Sequence, residues 1–98
     1  MEINKIQDGD SLTIALTGRL DTTTAPRLEA ELESSIGGVA ELIFDFEKLE
    51  YISSAGLRVI LSAQKVMNRQ GNMVIRNVDE NVMDVFEVTG FVDILTIE

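Results

Sequence analysis

Two hydrophobic periods alternate along this chain, and that alternation limits its fold more tightly than any other feature. Leu12, Ile14 and Leu16 are interleaved with Thr13, Ala15 and Thr17, the pattern of a strand with one buried face; Gly18 is expected to end it. Leu28, Leu32 and Ile36 then recur every fourth residue, as on one side of a helix. The short apolar run from Glu41 to Phe46 fits a central strand, and Ser53 to Gln70 predicts the longest helix, ended by Gly71. Asn72 to Arg76 reads as another strand. Asp79 to Thr89 places Val82, Val85, Phe86 and Thr89 on one helical face, with Gly90 as its stop. Phe91 to Ile97 is apolar enough for a last short strand. At the other end Glu2 to Gln7 fits an edge strand, turned by Asp8-Gly9-Asp10. The predicted order is β-β-α-β-α-β-α-β in one domain, residues 1–98. Strands separated by helices imply crossover connections, hence an α/β fold with a mostly parallel mixed sheet and helices packed on it.

Punctuation residues support these boundaries. Thr22-Thr23-Thr24-Ala25-Pro26 is a helix start, because threonine can cap free N–H groups and proline is tolerated in the first turn. Gly37-Gly38 stops that helix. Met67, Met73 and Met83 are expected to fill the core. Tyr51 and the four phenylalanines are expected in core or loop packing, with no spacing that suggests a base-stacking platform.

Composition removes several functions. The 98 residues include no cysteine and no histidine, which excludes disulfides, thiolate chemistry, zinc-thiolate sites and a Ser-His-Asp hydrolase. The net charge of −9 opposes binding to nucleic acid and to anionic membranes. No apolar run approaches the ~20 residues of a membrane span, and Met1 to Lys5 has no signal-peptide character. A cytoplasmic protein with no cofactor or metal is expected. The charge is also uneven: Asp79 to Glu98 holds six carboxylates and no base, whereas Ser54 to Gln70 holds three bases and no acid. The acidic end fits a solvated face, or one that steers a basic partner in a salt-sensitive manner.

The most informative stretch runs from Phe46 to Leu57, where a buried strand leads into Ser53-Ser54-Ala55-Gly56 and a helix. One reading is local: Ser53 or Ser54 is an N-cap. Another is functional, since small residues at a helix start leave N–H donors that favour an anion. A nucleotide-binding loop needs more glycine and a lysine, and a catalytic serine has no base here. From Ser54, the residues Arg58, Ser62, Lys65 and Arg69 follow at offsets 4, 8, 11 and 15, one continuous stripe on a helix. Leu57, Val59, Ile60, Leu61, Ala63, Val66 and Met67 make up its apolar remainder. Lys65 and Arg69 suit the C-terminal end of the helix dipole, but Arg58 in the first turn is not explained that way.

Together the segments Leu16-Thr17-Gly18-Arg19-Leu20-Asp21, the Asp45 strand, Ile52-Ser53-Ser54-Ala55-Gly56-Leu57-Arg58-Val59 and Val88-Thr89-Gly90-Phe91 resemble the STAS domain of bacterial anti-sigma factor antagonists. The resemblance covers nearly the whole chain. It implies a partner-switching protein that is not an enzyme. In that family an anti-sigma factor, which is also an ATP-dependent serine kinase, phosphorylates a serine at the start of the second helix. The unmodified antagonist binds the kinase and frees its sigma factor, and a metal-dependent serine phosphatase resets the phosphorylated form. By position the accepting residue is Ser54, with Ser53 the second candidate. The resemblance implies a partner surface comprising Asp21, Thr22, Ser53, Ser54, Ala55, Gly56, Arg58, Ser62 and Lys65. Two departures stand out: Ser53 replaces an aspartate common in the family, and the chain stops at Glu98, where many members continue into a further helix. Two other readings remain open. One is a STAS scaffold subunit of a signalling or lipid-transport assembly that is never phosphorylated. The other, ranked last, is a small carboxylate enzyme using Asp21 and Asp45 with a divalent cation.

Overall fold

The computed structural model describes all 98 residues. Its elements are β1 (Glu2–Asp8), β2 (Ser11–Leu20), α1 (Ala25–Ser35), β3 (Glu41–Ile52), α2 (Ser54–Gln70), β4 (Asn72–Arg76), α3 (Glu80–Thr89) and a 3-10 turn over Phe91–Asp93. The four strands lie in the order β1-β2-β3-β4. β1 is antiparallel to β2, whereas β2, β3 and β4 run parallel. The expected α/β class and mixed sheet are therefore present.

The core follows from the strand alternation. Leu12, Ile14 and Leu16 of β2, Leu42, Phe44 and Phe46 of β3, and Met73 and Ile75 of β4 point to one face and meet the buried sides of the helices. α1 contributes Ala25, Leu28 and Leu32; α2 contributes Leu57, Val59, Ile60, Ala63 and Met67; α3 contributes Val82 and Phe86. These join a single cluster of 23 buried side chains. The rings of Phe44, Phe46 and Phe86 stack in sequence, with centroids 5.8 and 6.4 Å apart, so α3 lies on the same side of the sheet as α1 and α2.

Several boundaries differ from expectation. β2 does not end at Gly18 but continues to Leu20, and β3 does not end at Phe46 but continues to Ile52. Register shifts between Ala15 and Thr17, and again between Gly18 and Arg19, break the alternation on which periodicity rests. The final strand does not form. Gly90 adopts a left-handed conformation (φ 80°), and Asp93, Ile94 and Leu95 then donate backbone hydrogen bonds back to Gly90 and Phe91. What remains of the expected strand is one parallel bridge, Ile97 to Ile75. Met67 and Met73 are buried as expected, but Met83 is only half-buried. Tyr51 is not core packing: it is 39% exposed, with the Arg19 guanidinium 4.2 Å above its ring.

Candidate phosphorylation and partner-binding site

β2 and β3 are parallel and end side by side, Leu20 opposite Ile52. The residues that follow them, Asp21 and Ser53, therefore emerge together at the carboxyl edge of the sheet, the usual location of sites in such folds. The Ser53 N–H donates to the Leu20 carbonyl at 2.9 Å, which ties the start of α2 to the end of β2.

The two serines have different jobs. Ser53 is the N-cap of α2, extended at φ −95° and ψ 174°, and its hydroxyl accepts from the Gly56 N–H at 3.3 Å. Ser54 is the first helical residue; it is exposed, and its side chain has no hydrogen-bond partner within the protein. Gly56 is buried, and a Cβ on it would lie 2.7 Å from Leu20 Cγ and 3.0 Å from Ile52 Cγ1. Glycine here lets the first turn of α2 press against the ends of both strands, leaving Ser54 on the outer side.

The loop after β2 is built around Asp21. One carboxylate oxygen, Oδ1, accepts from the backbone N–H groups of Thr23 and Thr24 at 3.0 and 3.1 Å. The Thr24 hydroxyl accepts from the Asp21 N–H and donates to the Arg19 carbonyl, both at 2.8 Å. Thr24 therefore occupies the N-cap position of α1 without capping it through its side chain. The Thr24 N–H holds the Asp21 carboxyl below the usual carboxylate range; desolvation opposes it, and the Thr23 N–H, the Thr24 hydroxyl and Arg19 reinforce it. Asp21 is thus a charged, rigid anchor. Among three threonines alike in sequence, only Thr24 turns inward, and the roles of Thr24, Arg19 and Leu20 carried no local sequence signal.

The remaining expected residues fall in three places. Thr22, Ala55 and Arg58 line one hollow of about 170 Å³ between the starts of α1 and α2, together with Ala25, Pro26, Glu29 and Val59. Ser62 lies further along the same helix pair, in a neighbouring hollow of about 260 Å³ floored by Leu32, Val59, Ala63 and Val66. Lys65 lines neither hollow. It continues the exposed stripe Ser54, Arg58, Ser62, Lys65 and Arg69. None of its three bases takes part in an ion pair; those of the protein are Lys5–Glu31, Arg19–Asp21 and Arg76–Glu98.

Asp45 stands apart. It points away from Phe44 and Phe46, and its Oδ1 accepts from the Glu47 N–H and from Asn77 Nδ2, both at 3.0 Å, which is a structural use. No group of three or more carboxylates comes together where a metal ion could be held. No helix is long and apolar enough to cross a membrane.

Comparison with known proteins agrees with this geometry. The STAS domain family model matches residues 2–98. The BtrV protein of Bordetella bronchiseptica is 38% identical over 91 residues, covering 90% of this chain and 78% of that one. A Listeria monocytogenes protein named anti-sigma-B factor antagonist is 33% identical over 98 residues, covering 96% of this chain and 84% of its own. The fold matches that of SpoIIAA in its unphosphorylated form with a TM-score of 0.85 at 22% identity, over 99% of this chain and 88% of that one. The matching fold, the family model and these relatives show that the chain belongs to the STAS domain family that includes the bacterial anti-sigma factor antagonists.

Proposed function

We propose that this domain is an anti-sigma factor antagonist that acts by binding rather than catalysis, and that its switch is phosphorylation of Ser54. In this reading the unphosphorylated protein docks an anti-sigma factor that is also an ATP-dependent serine kinase, which frees the sigma factor. Transfer of the ATP γ-phosphoryl group to the Ser54 hydroxyl breaks that contact, and a metal-dependent serine phosphatase restores it. The observation that carries the choice of serine is the difference in hydrogen bonding: Ser53 is occupied as a cap, whereas Ser54 is exposed and free.

The physics favours a local switch. A phosphate adds about −1.5 to −2 charge. At the first residue of α2 the helix dipole stabilises it by ~0.3–1 kcal/mol, so the fold need not rearrange. Arg58 lies four residues on, the spacing at which helical side chains pair. The phosphate would draw on that unpaired guanidinium and place an anion at the centre of the partner surface, where desolvating it is costly.

The test is a pull-down from native-host lysate with the wild type, Ser54→Ala and Ser54→Asp as baits. Recovery of an ATP-binding serine kinase by the first two and not by the third supports the reading. Recovery of the same non-kinase partners by all three would sink the phospho-switch and leave the scaffold reading in its place.

A further inference from the structure

All three helices pack on one face of the sheet, and the register of the other face aligns one residue from every strand. Ile6 pairs with Thr13, Thr13 with Ile43, and Ile43 with Val74. The result is an unbroken row of four β-branched side chains running across the sheet, spanning about 14 Å at ~4.8 Å per strand. Ile43 is buried but stands outside the 23-residue core cluster, which places it on this second face. At the edge of the row Ile6 is 68% exposed. The face of a sheet that meets water ordinarily alternates to polar side chains; here the central row is apolar apart from one threonine hydroxyl.

The flanking rows are largely polar and carry three carboxylates against one base. Asp8, Ser11, Glu41 and Asn72 form one; Asn4, Ala15, Asp45 and Arg76 form the other. The base in these rows, Arg76, is already bound to Glu98 at 2.9 Å. A hollow of about 180 Å³ opens beside the row at the bulge of β2, lined by Asn4, Ala15, Asp45 and Lys48 among others. A second copy of this chain is a poor occupant. Stacking two such faces would bring Asp8, Glu41 and Asp45 of each toward the other's, in molecules that each carry −9, and like-charge juxtaposition is strongly unfavourable.

We propose that this uncovered sheet face is a second docking surface, for a basic amphipathic segment of another protein whose apolar side covers the Ile6–Thr13–Ile43–Val74 row while its lysines or arginines meet Asp8, Glu41 and Asp45. It lies across the sheet from α2, so occupation of the two surfaces is independent. Phosphorylation at Ser54 then changes the partner on the helical side and leaves the sheet-side partner in place.

The test is an NMR titration of the 15N-labelled protein with a helical Lys/Leu amphipathic peptide, alongside a Lys/Ser peptide of the same length and charge. Saturable shifts at the Thr13, Ile43 and Val74 amides, produced by the amphipathic peptide alone, are the expected result. They should weaken at least tenfold in Ile6→Lys/Val74→Lys and persist in Ser54→Asp. Ile6 is exposed and Val74 half-buried, and the spectrum itself reports whether the variant is folded. Should it not be, Glu41→Gln/Asp8→Asn tests the same surface through charge and should weaken binding several-fold. Equal shifts with both peptides, shifts centred on the acidic α3, no saturable shift, or a concentration-dependent dimer abolished by Ile6→Lys would each overturn the proposal.

Discussion

Gly56 and Leu20 approach so closely that a β-carbon on the glycine would lie 2.7 Å from Leu20 Cγ. Leu20 is fully buried and cannot swing away, so this contact sets how near α2 comes to the end of β2. It also sets where Ser54 stands relative to Asp21.

Replacing Gly56 with alanine should therefore destabilise the domain despite alanine's better helix propensity. Overpacking costs about 1–3 kcal/mol, and the propensity gain returns ~1 kcal/mol of it. Urea denaturation is expected to show a net loss of about 1 kcal/mol, with amide shift changes centred on Leu20, Ile52 and Ser54. Gly37 has open space around it, and Gly37→Ala should stay within about 0.5 kcal/mol of the wild type. Equal effects at the two glycines would contradict the packing account.

The two serines should separate stability from modification. Ser53→Ala removes the N-cap acceptor and is expected to cost about 1 kcal/mol, or roughly 4–8 °C in Tm for a domain of this size. Ser54→Ala should leave the thermal unfolding curve unchanged while abolishing phosphate incorporation by the cognate kinase. Incorporation that survives Ser54→Ala and disappears in Ser53→Ala would reverse the assignment.

Asp21 should titrate below the ordinary aspartate value. Its folded value is depressed, first by the Thr24 N–H, so the stability it supplies is present above its unfolded value and is lost as pH falls through the folded one. Carbon-detected NMR of the Asp21 carboxyl is expected to show a midpoint below that of a free aspartate side chain. The stability gap between the wild type and Asp21→Ala should close as the solution is acidified below about pH 3.8. A gap that stays constant through that range would mean the carboxylate charge is not what organises the loop.

Arg19 over Tyr51 offers a direct readout of the same corner. Tyr51 is the single tyrosine and there is no tryptophan, so intrinsic fluorescence reports on this ring alone. Arg19→Ala should change that fluorescence and lower stability by about 0.5–1 kcal/mol. An unaltered emission would show that the guanidinium does not rest on the ring in solution.

How much of this was legible beforehand depended on whether a signal was local. Leu12, Ile14 and Leu16 gave β2 because alternation needs no knowledge of the partner strand. Ser53 to Gln70 gave α2 because its polar stripe repeats over four turns. The extension of β3 past Phe46 was hidden, since Glu47, Lys48, Glu50 and Tyr51 face outward and the register shifts break the pattern. The last strand failed because Gly90 and the turn after it redirect the chain, leaving Ile97 alone at the edge. Of the site, the stripe headed by Ser54 and Arg58 could be read from spacing along one helix, whereas the role of Ser54 as phosphate acceptor came from the family resemblance alone. Thr24, Arg19 and Leu20 could not, because their roles exist only through β2–β3 pairing and the loop that follows it.

The side-by-side ending of β2 and β3 has a consequence for what can be recognised at all. Asp21 and Ser54 belong to different strand–helix units and stand at the same edge of the sheet because Leu20 pairs with Ile52. A kinase that reads both reads a conformational epitope, not a linear motif. A nascent, unfolded or proteolysed copy would display the same serine yet be invisible to such a kinase, so under the proposed switch the signal would count only molecules competent to respond.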